Sequence, residues 1–122
     1  MRKVMSGILA IIGSASLLTA GPAFAHAKLT SSNPADHATV SAAPKVISLT
    51  FNEQLVPAFS RFEVTMPEHG MAVPVKTSVA SDGKTIVGTP ARALPRGAYK
   101  IVWSAATADG HKMQGELNFK VG

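Results

Sequence analysis

The chain has 122 residues, 46% of them hydrophobic, and sets 12 Lys and Arg against 7 Asp and Glu for a formal charge of +5. With no cysteine, it can form no disulfide and offer no thiolate, so any transition-metal site must use imidazole, amine, carboxylate or thioether groups. The basic residues are scattered instead of grouped in a stripe, which argues against a nucleic-acid partner.

The first residues read as an address label. Arg2 and Lys3 precede an apolar stretch from Val4 to Leu18, and Ala23-Phe24-Ala25 supplies a small-x-small cleavage pattern. The stretch is short and interrupted for a membrane span, which needs roughly 20 apolar residues. Residues 1–25 are therefore expected to be a signal peptide cleaved after Ala25. Cleavage leaves residues 26–122, a single domain of 97 residues with ten basic and seven acidic side chains, hence a charge of +3. No later segment is long and apolar enough to cross a bilayer, so no membrane insertion is expected after cleavage.

Short strands punctuated by turns follow. Ala27 to Ser31 predicts a first strand, followed by the loop from Ser32 to His37. Val46 to Phe51 alternates apolar and polar residues, and Phe59 to Met66 sets Phe62, Val64 and Met66 against Arg61, Glu63 and Thr65. Val73 to Val79 and Lys84 to Gly88 flank the turn Ser81-Asp82-Gly83. Ala98 to Ala105 places Tyr99, Ile101 and Trp103 on one face, and Gly115 to Val121 does the same with Leu117, Phe119 and Val121. About seven strands at this spacing predict an all-β sandwich or barrel. The last two form a hairpin joined by Ala106 to Gln114. In an immunoglobulin-like sandwich the first strand commonly lies parallel beside the last, which would bring His26 to the hairpin turn although 85 positions separate it from His111.

His26, placed at the expected new terminus, carries the chemistry that stands out. A chain beginning with His presents its α-amine and imidazole Nδ1 together, and the two close a six-membered chelate ring around one ion. Such nitrogen donors suit copper(II) best among the divalent first-row metals, and its tetragonal preference asks for one more nitrogen and one oxygen. Asp109-Gly110-His111 is the second feature: the spacing lets carboxylate and imidazole converge, although an Asp-Gly turn is also ordinary hairpin punctuation.

The start His26-Ala27-Lys28-Leu29, the following Ser32-Asn33-Pro34-Ala35, and the ending Tyr99-x-x-x-Trp103…Asp109-Gly110-His111…Gly115-x-x-x-Phe119-x-Val121 closely resemble the CopC-like periplasmic copper resistance family (CopC/YobA type) over essentially all of residues 26–122. The resemblance implies a Greek-key, immunoglobulin-like β-sandwich exported to the periplasm of a Gram-negative bacterium. It also implies one copper(II) ion per mature chain, held by the amine and Nδ1 of His26, a nitrogen of His111 and an oxygen of Asp109. The implied partner is a CopD-like inner-membrane copper transporter or another periplasmic carrier, with the protein itself a monomer.

Some members of that family hold copper(I) in a methionine-rich loop. This chain offers only Met66, His69 and Met71, and Met66 falls at an apolar strand position, so core packing is its expected role. His37 reads as a surface histidine, and Glu53 could orient a ligand imidazole by accepting its free N–H. Two rival functions use the same features. A terminal histidine chelating copper also builds oxidative polysaccharide-cleaving enzymes, but one Trp and one Tyr leave no aromatic platform for a glycan. A metal-free adhesion module would place His26 and His111 far apart. The expected function is a binding protein, not an enzyme.

Overall fold

The computed structural model describes residues 27–122, so the expected signal peptide (1–25) and His26 lie outside the described residues. Among the described residues the chain forms nine strands: β1 (Leu29–Asn33), β2 (Ala38–Val40), β3 (Ile47–Phe51), β4 (Arg61–Met66), β5 (Met71–Val73), β6 (Val75–Val79), β7 (Thr85–Pro90), β8 (Gly97–Ala106) and β9 (Lys112–Val121). Six of the seven expected runs each hold one strand; the run from Val73 to Val79 is broken at Pro74, which separates β5 in one sheet from β6 in the other, and β2 is a three-residue addition.

Two sheets share them, in the orders β1-β3-β7-β6 and β2-β9-β8-β4-β5. Period-two sequence becomes period-two burial: Ile47, Leu49 and Phe51 face inward on β3, and Phe62, Val64 and Met66 on β4. Tyr99, Ile101 and Trp103 of β8 and Leu117, Phe119 and Val121 of β9 extend the inner face of β4 and join it with that of β3 in one core. This is a sandwich of largely antiparallel sheets, in which two apolar faces bury each other. The sheets approach closely at Gly88, where a Cβ would stand 2.2 Å from Cζ of Phe62.

The Tyr99 hydroxyl donates to the carbonyl of Pro95, four residues upstream, tying the loop before β8 to its core. At the other end of β8, Phe51 and Trp103 meet edge to face with ring centroids 4.9 Å apart, one ring from each sheet.

The pairing of the first strand differs from expectation. β1 runs antiparallel to β3 in the four-stranded sheet, and it is β2 that lies parallel beside β9. The chain changes sheets between them: Asp36 Oδ1 accepts the Asn118 N–H at 2.9 Å, and the His37 N–H donates to the Asn118 carbonyl at 2.6 Å. An extended strand with an inward-facing row could pair on either sheet, and these loop contacts decide the matter.

Candidate metal centre

The pole that matters is built by three segments. β1 begins beside the end of β3, where Lys28 and Asn52 exchange two hydrogen bonds, Lys28 N–H to Asn52 Oδ1 at 2.8 Å and Asn52 N–H to the Lys28 carbonyl at 3.1 Å. The loop after β3 then reaches the root of the β8–β9 hairpin: Val56 N–H donates to the Ala106 carbonyl at 2.8 Å, and the Ala106 N–H donates to the buried Ser60 hydroxyl at 3.1 Å. Ala27 is buried against the core. The described chain therefore enters the sandwich at the hairpin pole even though β1 does not lie beside β9.

The hairpin turn itself is short. The Gly110 N–H closes on the Thr107 carbonyl at 2.9 Å and the Thr107 N–H on the His111 carbonyl at 3.0 Å. Gly110 takes φ 92°, a left-handed conformation that costs a side-chain-bearing residue about 1–2 kcal/mol. A short polar residue before that glycine is what such a turn favours, because its carboxylate can accept neighbouring backbone N–H groups.

Asp109 does so. Its Oδ1 accepts the Thr107 hydroxyl at 2.5 Å and the His111 N–H at 3.2 Å, while Oδ2 lies 2.8 Å from His111 Nδ1. These donors hold the carboxyl at about 2, led by the Thr107 hydroxyl and then the His111 ring. Asp109 is exposed and His111 half-exposed, so the pair sits at the molecular surface, open to an incoming ion.

The separation of this pair is that of an ordinary hydrogen bond, and it is also compatible with two adjacent positions on a divalent ion. Two ligands about 2.0–2.1 Å from a first-row metal and at right angles to each other stand roughly 2.8–3.0 Å apart. The Asp109 Oδ2–His111 Nδ1 separation is 2.8 Å, the edge of such a plane. Oxygen and imidazole nitrogen are also suitable partners for a tetragonal copper(II) ion. Among the described residues no group of three or more His, Asp or Glu is gathered. A third donor must come from elsewhere, and His26, bonded directly to Ala27, lies outside the described residues.

The remaining candidates are placed elsewhere or, among the described residues, make no hydrogen bond to Asp109 or His111. Glu53 is half-buried in the loop after β3. His37, beside Asn118, is removed from His111 by seven residues of β9, roughly 20 Å at the rise of an extended strand. Its Nε2 lies 3.4 Å from Asp36, and its exposure and φ of 66° fit a loop histidine. Met66 packs inward at the far end of β4, opposite an exposed Met71; both line one apolar cleft, while His69 stands on the exposed turn after β4 and is absent from its wall. Thr107 was not singled out in the sequence. A Thr two positions before an Asp in a turn is the only signal, and it becomes legible once its hydroxyl is seen on Asp109.

The comparisons with known proteins agree on one family. The model described as the CopC domain matches residues 29–122. A protein of Xanthomonas campestris pv. juglandis called copper resistance protein C is 38% identical over 117 residues, 91% of each chain. One of the same name from Pseudomonas syringae pv. tomato is 42% identical over 114 residues, 88% of this chain and 90% of the relative. Among solved structures, PcoC, a methionine-rich copper resistance protein from Escherichia coli, superposes with a TM-score of 0.74 at 37% identity, over 80% of this chain and 100% of that one.

Proposed function

The chain belongs to the CopC domain family, and from that premise we propose that it is a copper(II)-binding protein of copper resistance, with His26, Asp109 and His111 as its ligands. The observation that carries this reading is the 2.8 Å edge between Asp109 Oδ2 and His111 Nδ1, on a hairpin at the pole where the described chain begins. His26 would supply its amine and Nδ1, His111 a third nitrogen, and Asp109 the oxygen of the copper plane. The same contact supports one further arrangement: Asp109 accepts the Nδ1 proton, and His111 turns Nε2 to the metal, as carboxylate-oriented histidines do. A structure of the copper-loaded protein separates the two by the nitrogen that carries the ion.

Export to the periplasm, cleavage after Ala25, a monomeric state and delivery to a CopD-like inner-membrane transporter or another carrier belong to the same proposal. Among the described residues no helix is long and apolar enough to cross a membrane. The relatives are named for copper resistance, which favours binding over catalysis, and an ionised Asp109 filling the plane leaves less room for oxygen activation.

Competition titrations with copper(II) on three chains test the proposal. The chain beginning at His26 should bind tightly. One extra residue ahead of His26 removes the free amine, and His111→Ala removes an imidazole; each should weaken binding by at least about tenfold. Equal affinity in all three would contradict the assignment.

A further inference from the structure

We infer that Thr107 is a positioning residue of the copper site, its hydroxyl fixing the rotation of the Asp109 carboxylate so that one oxygen faces the His111 imidazole; this rests on the copper reading above. Rotation of a carboxylate about its last torsion is broad, so packing alone does not fix the plane in which its oxygens lie. Hydrogen bonds must fix it. Both the Thr107 hydroxyl and the His111 N–H settle on Oδ1, at 2.5 and 3.2 Å, leaving Oδ2 to the ring.

Thr107 is suited to the task because it does not belong to the exposed part of the turn. It is 7% exposed, whereas Asp109 and Gly110 stand in solvent. Its N–H and carbonyl close the turn, and the residue before it, Ala106, is clamped by Ser60 and Val56. The hydroxyl has one proton and two acceptors in view, Asp109 Oδ1 at 2.5 Å and the His111 carbonyl at 3.5 Å. The shorter, charge-assisted bond takes it. The sandwich thus sets the hydroxyl, the hydroxyl sets Oδ1, and Oδ2 is left aimed at the imidazole.

Removing the hydroxyl releases that rotation. In Thr107→Val, of similar size, the carboxylate keeps only the weaker backbone donor on Oδ1, and its plane can turn away from the ring. The orienting contacts of metal ligands typically carry about tenfold to a hundredfold in metal affinity.

The test uses the chain beginning at His26, with Thr107→Val, Thr107→Ser and His111→Ala, each measured for copper(II) affinity by competition, for its copper electron paramagnetic resonance spectrum, and for apo thermal unfolding. Thr107→Val should lose about tenfold to a hundredfold in affinity and shift the spectrum, and Thr107→Ser should restore both. Copper held through His111 but with wild-type affinity and spectrum in Thr107→Val overturns the role of the hydroxyl alone. Equal impairment of the Val and Ser variants, in step with equal losses of apo stability, also overturns it and makes Thr107 a packing residue. Binding indifferent to His111→Ala overturns the site itself, and this inference with it.

Discussion

At Asp109 three donors converge on one exposed carboxylate, and the consequence is a carboxylate that stays ionised far into acid. Its carboxyl is held at about 2 in the folded chain against an ordinary 3.8. The sign of the linkage follows: the hydrogen bonds favour the charged form, so their contribution is present above the ordinary value and is lost as pH falls through about 2. With the proposed ligand set, copper release on acidification between pH 8 and pH 5 should therefore arise at the nitrogens. A free α-amine titrates near ~7.7–8.0 and must lose its proton before it can hold the metal. Competition titrations across that range should show affinity falling steadily. Asp109→Asn should lower affinity throughout without changing the shape of that fall; a flat profile in the unaltered chain would count against amine and imidazole ligation. Gly110→Ala, placed at φ 92°, should lower stability by about 1–2 kcal/mol and weaken copper binding with it, read by thermal unfolding and the same titration. The residues of this turn were legible in the sequence because Asp109, Gly110 and His111 are neighbours and their chemistry is local. Thr107 was not, since its part depends on where a buried hydroxyl points.

Strands were readable wherever one face is buried, because alternation then leaves a mark at every second residue. β3, β4, β8 and β9 bear that mark over five to ten residues. β2 leaves almost none: three residues, partly buried at their ends, exist as a strand only because β9 lies alongside. Sheet membership of β1 was equally hidden, since pairing with β3 is a choice between surfaces that the strand's own residues do not record. Tyr99 illustrates an element-level feature whose energy can be read. Tyr99→Phe removes the bond to the Pro95 carbonyl at the end of β8 remote from the hairpin, and should cost about 1 kcal/mol. For a domain of this size that is a fall of roughly 4–8 °C in the unfolding midpoint. Copper affinity should be unchanged, because the proposed site stands on the opposite pole; a parallel loss of affinity would contradict that placement.

Among the described residues the histidines and methionines divide between poles. His111 and Met113 stand with Asp109 at the hairpin pole, where the described chain begins, while His37, Met66, His69 and Met71 lie at the other end of β4, β8 and β9. A ligand that binds the folded chain alone stabilises it, by about 2.7 kcal/mol at a hundred times its dissociation constant. Copper(II) should therefore raise the unfolding midpoint of the chain beginning at His26, and a chelator should return it. The direct test of the central claim is the copper(II) electron paramagnetic resonance spectrum of that chain beside the form with one residue added ahead of His26. Joint ligation by a terminal amine and the hairpin predicts a tetragonal, nitrogen-rich signal that the added residue alters. An identical spectrum from both forms would contradict it.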